Sequence, residues 1–190
     1  MWMLRGLKKG VLTTEFPYGE FDAPRSIRPV DTGKCPFGMN ELSCLECGLC
    51  DMAENDEKIE IFSEINLGRS LHLFVMDVGS CSACNREVSL LTSPHYDIHR
   101  LGFFFTPTPK HADVMLVLGT PTEEMVPVLR EAYELMPEPK MVVSVGACAN
   151  GALGKKVEDI VPVGARLSGC PPQPIEILKV LLGIAGRWKE

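Results

Sequence analysis

Three apolar, β-branched runs in this chain each end in glycine followed closely by cysteine. Residues 71–78 lead to Gly79-Ser80-Cys81 and then Cys84, residues 140–145 to Gly146-Ala147-Cys148, and residues 160–167 to Gly169-Cys170. The runs read as strands, and strand–helix alternation around them implies a parallel sheet with helices on its faces. Cys81, Cys84, Cys148 and Cys170 then all sit at the carboxyl ends of strands, the crevice where open α/β sheets bind ligands. A glycine close to each site lets the backbone approach a bulky group with no Cβ in the way. Four thiolates with no histidine suit an iron–sulfur cluster or a tetrahedral zinc ion. The cluster is the expectation.

The other four of the eight cysteines fall early, in Cys35-Pro36 and in Cys44-Leu45-Glu46-Cys47-Gly48-Leu49-Cys50. A C-x₂-C-x₂-C run is that of ferredoxins, where a later Cys-Pro serves the other cluster. Here Asp51-Met52-Ala53-Glu54 follows, and the spare Cys-Pro lies upstream. A single [4Fe–4S] cluster held by Cys35, Cys44, Cys47 and Cys50 is expected, with a structural zinc knuckle as the alternative. Zinc more often takes two separated C-x₂-C pairs. The acidic stretch 51–64 reads as a solvated face.

The net charge of −6, with no basic stripe, argues against nucleic acid. No apolar run reaches the ~18 residues of a membrane span, and the basic start lacks the apolar core of a signal peptide. A cytoplasmic chain is expected, in which cysteines mean metal or catalysis rather than disulfides. Residues 1–30 read as a short amphipathic helix and a proline-rich arm, either frayed or laid over a partner subunit. Cys81 to Cys84 opens a helix ending near Leu91, and 96–108 is irregular or edge-like. Further helices are expected at 122–135 and after Pro171-Pro172-Gln173-Pro174, proline being tolerated in a first turn. The predicted organisation is a segment 1–66, with an arm and a small ferredoxin-like iron–sulfur unit, and a domain 67–190. The fold class of that domain is α/β, a flavodoxin-like open parallel sheet with helices on both faces.

From residue 71 onward the chain resembles the small, proximal-cluster subunit of energy-converting (group 4) [NiFe] hydrogenases, related to the 20 kDa, B-type subunit of complex I. The resemblance is carried by Gly79-Ser80-Cys81-Ser82-Ala83-Cys84-Asn85-Arg86-Glu87, Tyr96-Asp97-Ile98-His99-Arg100-Leu101-Gly102 and Pro109-Lys110-His111-Ala112-Asp113. It continues in Gly146-Ala147-Cys148-Ala149-Asn150-Gly151 and Gly169-Cys170-Pro171-Pro172-Gln173-Pro174. It implies that Cys81, Cys84, Cys148 and Cys170 bind a proximal [4Fe–4S] cluster facing a hydrogenase-type large subunit, which holds the nickel–iron centre that this chain lacks. The complex I branch has two adjacent cysteines where Cys81 and Cys84 are separated. Residues 1–66 resemble the start of the ferredoxin-like subunit of the same complexes, in Leu4-Arg5-Gly6-Leu7-Lys8-Lys9-Gly10 and the triple-cysteine run.

The resemblance implies an oxidoreductase subunit that relays electrons, for H₂ evolution or oxidation coupled to ion translocation. Its partners would be the large subunit and the ferredoxin-like and membrane subunits of the complex, placing it peripherally on the inner face of the cell membrane. An equivalent subunit of a quinone- or sulfur-reducing complex I-like enzyme is the alternative, and a zinc-stabilised structural adaptor a third reading. Glu87 reads either as an acid that passes protons near the subunit interface or as a carboxylate favouring a helix N-terminus. His72 reads as a core histidine. His95 reads as an ordinary interface or surface residue, and His99 or Arg100 as a hydrogen-bond donor that tunes the cluster potential.

Overall fold

The computed structural model describes residues 10, 13–19, 35, 37–40, 42–45, 59–62, 67–68 and 70–188. In chain order the elements are β1 (Ile59–Ile61), β2 (Leu71–Asp77), α1 (Ala83–Leu90), β3 (Phe103–Phe105), β4 (Val114–Leu118), α2 (Met125–Leu135), β5 (Met141–Val145), β6 (Ala165–Leu167) and α3 (Pro174–Ile184). Short 3₁₀ turns lie at Pro109–His111 and Val157–Asp159. The sheet order is β1-β6-β5-β4-β2-β3. All neighbours pair in parallel except β1, which runs antiparallel to β6.

Counted from β2, the five parallel strands stand in the order 2-1-3-4-5, the flavodoxin-like arrangement, whose switch point falls between β2 and β4. Every residue of β4 and β5 is buried, as strands covered on both faces must be. Their side chains alternate between two cores. Val114, Leu116 and Leu118 join Val88 of α1 and the apolar residues of α3 on one face. Met115 and Val117 join Leu129 and Ala132 of α2 on the other. Helix α3 is apolar almost all round because it lies in the larger core, with eight buried residues and Pro174 in its first turn.

The expected layers are present, with three local differences. Only Ala165–Leu167 of the run 160–167 is strand, because Ile160 caps the preceding turn Val157–Asp159 in a helical conformation and Pro162 follows. The stretch 96–108, expected to be irregular or edge-like, does supply an edge strand, Phe103–Phe105, beside the start of β2. Part of the acidic stretch 51–64 is not a solvated face: Ile59, Glu60 and Ile61 add a strand to the free edge of β6. The described part of the amino-terminal arm, residues 13–19, does not fray but packs on the chain itself. Phe16 is buried in the larger core against Trp188, with ring centroids 5.8 Å apart. Its carbonyl accepts from Arg100 Nη2, and the Thr13 hydroxyl donates to Asp97. The rest of the expected helix and arm lies outside the described residues. Among the described residues, no helix is long and apolar enough to cross a membrane.

Candidate metal centre

The loop after β2 is built on the carboxylate of Asp77. Its Oδ1 accepts hydrogen bonds from the Gly79 and Ser80 amides (2.9 and 2.8 Å), and its Oδ2 from the Ser80 hydroxyl and the Asn85 amide (2.7 and 2.6 Å). Ser80 Oγ in turn accepts from the Ser82 amide (3.0 Å) and from Asn85 Nδ2 (2.8 Å). Burial pushes the Asp77 carboxyl up, but bonds from the Ser80 hydroxyl, the Gly79 amide, Asn85 and the Ser80 amide together hold it below its ordinary value. Ser82, between the two cysteines, takes a left-handed backbone (φ 69°) and starts α1 without a side-chain cap. Such a conformation costs of order 1–3 kcal/mol and persists only where its surroundings dictate it. The Asp77–Ser80–Asn85 bonds supply that constraint.

The loops after β5 and β6 are laced to each other. Gly146 N donates to Leu167 O and Ala147 N to Gly169 O, each at 2.9 Å. The side chain of Asn150, buried, bridges both loops. Its Nδ2 donates to Gly146 O (3.1 Å) and Leu167 O (2.9 Å), while its Oδ1 accepts from the Ser144 hydroxyl (2.7 Å). Thr120, after β4, donates to Cys148 O (3.5 Å). The β5 loop also closes on α1: a Cβ on Gly146 would stand 2.8 Å from Cys84 Sγ, and its φ of +88° favours glycine in any case.

These loops bring Cys81, Cys84, Cys148 and Cys170 into one electrostatic neighbourhood at the carboxyl edge of the sheet. Burial, and then the charges of Cys170, Cys148 and Cys81, push the Cys84 thiol up to about 12. Burial and Cys81 raise Cys148 as well, partly offset by a hydrogen bond from Thr120. Cys81 is exposed and the other three are half-buried. Among the described residues, no three His, Cys, Asp or Glu side chains converge on one ion-sized point. The donor set nevertheless fits an iron–sulfur cluster. Four thiolates side by side repel one another, a group carrying positive irons offsets that repulsion, and the glycine at 146 leaves room beside Cys84.

The amino-terminal cysteines are seen in part. Cys35 and Cys44 are half-buried, and Cys47 and Cys50 lie outside the described residues. Other expected residues stand elsewhere than anticipated. Glu87 is not in the first turn of α1, which holds no acidic residue, so its carboxylate does not cap that helix. It is half-buried one turn further on and burial raises its carboxyl; burial first, and then the Glu87 charge, raises the Tyr96 hydroxyl. His72 is not in the core. It is exposed on β2, with Nδ1 3.3 Å from Asp113 Oδ2. His95 packs edge-on against Tyr96, at 4.9 Å. His99 stacks on Phe104 (5.7 Å), whose partner in the sheet is His72. His99 and Arg100 therefore lie by the amino end of β2, and the 7 residues of that strand, ~23 Å long, separate them from the thiols. They are too far away to donate to a group held there.

Asp77, Asn85 and Asn150 were not singled out by sequence reasoning. An Asp two residues before a glycine, whose carboxylate can accept from that amide, is the signature of a side-chain-closed turn and marks Asp77 in hindsight. Asn150 carried no such signal, because the carbonyl it binds at Leu167 is 17 positions away.

A doubly wound α/β sheet with four thiols at its carboxyl edge is the build of an α/β protein with a ligand or metal site at the strand ends. Residues 81–184 match the family described as NADH ubiquinone oxidoreductase, 20 Kd subunit, and the chain belongs to that family. An uncharacterized protein of Methanocaldococcus jannaschii is 39% identical over 132 residues, covering 66% of this chain and 89% of that protein. Among solved structures, a chain of the membrane-bound sulfane sulfur reductase, an archaeal respiratory membrane complex, is similar with a TM-score of 0.54 and 25% identity, over 62% of this chain and 70% of that one. A chain of an NAD⁺-reducing [NiFe]-hydrogenase shares the fold, with a TM-score of 0.52 and 19% identity, over 64% of this chain and 95% of that one. The protein is an oxidoreductase-family subunit of the complex I 20 kDa type.

Proposed function

We propose that this chain is the electron-transfer subunit of a membrane-associated [NiFe] hydrogenase complex, exchanging electrons with a nickel–iron centre held by a large subunit. The observation that carries the reading is the thiol quartet Cys81, Cys84, Cys148 and Cys170, drawn together at the switch-point edge of a hydrogenase-like fold. A [4Fe–4S] group bound there would supply one-electron acceptance and donation. The chain's own residues hold the thiols in place: Asp77 and Asn85 fix the loop of Cys81 and Cys84, and Asn150 ties the loop of Cys148 to that of Cys170. Cys35, Cys44, Cys47 and Cys50 hold a second [4Fe–4S] group. Glu87, half-buried with a raised carboxyl, is suited to hold and release a proton near the partner surface. Ferredoxin-like and membrane subunits complete the complex, coupling H₂ chemistry to ion movement on the inner face of the membrane.

Anaerobic purification followed by metal and sulfide analysis tests this. About eight irons and eight acid-labile sulfides per chain are expected if both groups are cubanes. Stoichiometric zinc without iron would end the electron-transfer reading, and a co-purifying large subunit free of nickel would end the hydrogenase part of it.

A further inference from the structure

Arg166 of β6 touches the amino-terminal segment at a place that the redox site does not require. Its guanidinium pairs with Glu158, stands 3.8 Å from Glu60 Oε2 and lies 4.8 Å over the ring of Phe62. Lys156 extends the network to Glu158 at 3.3 Å. Glu60 and Phe62 follow the cysteine run in sequence. On the other side of that run, Asn40 and Leu42 line a cleft of about 30 Å³ together with Arg166, Ser144, Ala149 and Asn150. The turn beside it is closed by its own side chains, with the Ser43 amide and hydroxyl both donating to Asn40 Oδ1 (2.9 and 2.8 Å).

The register fixes which edge of the sheet this is. Strand β1 runs antiparallel to β6 with Ile59 opposite Leu167, so it begins at the carboxyl edge, beside the loop to Cys170. Phe62 N continues the pairing to Gly164 O at 2.8 Å. Helix α3 receives β1 closely: a Cβ on Gly183 would stand 2.6 Å from Ile61 Cδ1. Leu42 shares its cleft with Ala149, the neighbour of Cys148, and is itself two positions from Cys44. The chain is thus anchored before and after the cysteine run, on the same edge as the quartet.

We propose that the two stretches flanking the cysteine run, residues 42–45 and 59–62, are docked within the chain on the β6 side of the quartet, with Arg166 as the residue that fastens them. The role of the dock rests on the electron-transfer reading above, under which the cysteine run that they flank is the quartet's partner in electron exchange.

The test uses the full chain, purified anaerobically, as wild type, Arg166→Glu and the charge-swapped pair Arg166→Glu with Glu60→Arg. Hydrogen–deuterium exchange is read on peptides covering 40–45 and 59–62, with β4 and β5 as internal controls, and iron is measured on the same samples. Arg166→Glu is expected to speed exchange at least tenfold in both amino-terminal peptides, to leave β4 and β5 unchanged, and to be partly reversed by the swap. Unchanged exchange in 40–45 would overturn the dock, as would loss of protection in β4 and β5 to the same degree, since Arg166 would then support the whole sheet. Zinc without iron would sink the electron-transfer reading alone, because the exchange data decide the docking either way.

Discussion

Replacing Asn150 by alanine tests whether the lacing of the β5 and β6 loops maintains the site. The side chain is buried and makes three hydrogen bonds, two donated to Gly146 O and Leu167 O and one accepted from Ser144. Both carbonyls keep a backbone donor, from Asn150 N at 3.3 Å and Gly146 N at 2.9 Å respectively, so neither is orphaned. Ser144 Oγ, also buried, loses its acceptor. Two bonds at ~1 kcal/mol each, plus ~1–3 kcal/mol for the stranded hydroxyl, give ~3–5 kcal/mol. For a chain of this size each kcal/mol shifts Tm by ~2–4 °C, so a fall of roughly 6–20 °C is expected. Thermal unfolding followed by circular dichroism on anaerobic protein measures it. Because the bonds join the Cys148 and Cys170 loops, chelator should also strip iron from the variant faster. A Tm within ~2 °C of wild type, with unchanged iron retention, would refute the reasoning. Asn150→Ala combined with Ser144→Ala should recover part of the loss, since the stranded hydroxyl is then gone.

Two further outcomes are expected. Burial raises the Glu87 carboxyl, so its contribution to stability is present below the ordinary carboxylate range and lost as pH rises through the folded value. Glu87→Gln should therefore match wild type in acid denaturation series and be no less stable at neutral pH, while H₂ turnover of the assembled complex falls ~10²–10⁴-fold; turnover within a few-fold would remove the relay. Cys35→Ser should alter one electron paramagnetic resonance signal of the reduced protein and spare the other, and an unchanged spectrum would mean that Cys35 is no ligand.

The thiol quartet and the parallel sheet were legible because both are written locally. Each cysteine follows a glycine and an apolar run, and β4 and β5 are continuous enough to read as strands buried on both faces. What was not legible depends on residues far apart in sequence. Strand β1 is only Ile59–Ile61, and nothing in so short a stretch announces it. It exists because β6 offers an unpaired edge. Asn150 and Arg166 act across loops whose proximity is a product of the fold. His72 is a different case. Alternation places Leu71 and Leu73 inward and His72 outward, a period-2 pattern that argued against a core histidine from the start. His99 and Arg100 were assigned to the site through their neighbours in sequence, whereas the direction of β2 puts them at its far end.

Burial first, and then the charges of the other three thiols, raise the Cys84 thiol, and its titration is measurable in the metal-free chain. Its folded value is about 12, against an ordinary 9.0. The folded apo-protein therefore holds this proton more tightly than the unfolded chain does, and the stability so contributed is fully present below pH 9 and lost as pH climbs toward 12. When a cluster is bound, the thiols are already ionised and their charge is offset by iron, so this loss should be absent. Denaturant midpoints of chelator-stripped and iron-loaded protein, taken anaerobically at neutral pH and about one unit above the ordinary thiol value, separate the two. The apo midpoint should fall with pH and the loaded midpoint should hold. Other groups titrate in the same window, so the decisive comparison is apo Cys84→Ser, which lacks the thiol and should lose less of its midpoint than apo wild type. Equal losses in the two apo proteins would mean that folding does not raise the Cys84 thiol, so that it is neither buried nor set beside the other three thiols as described.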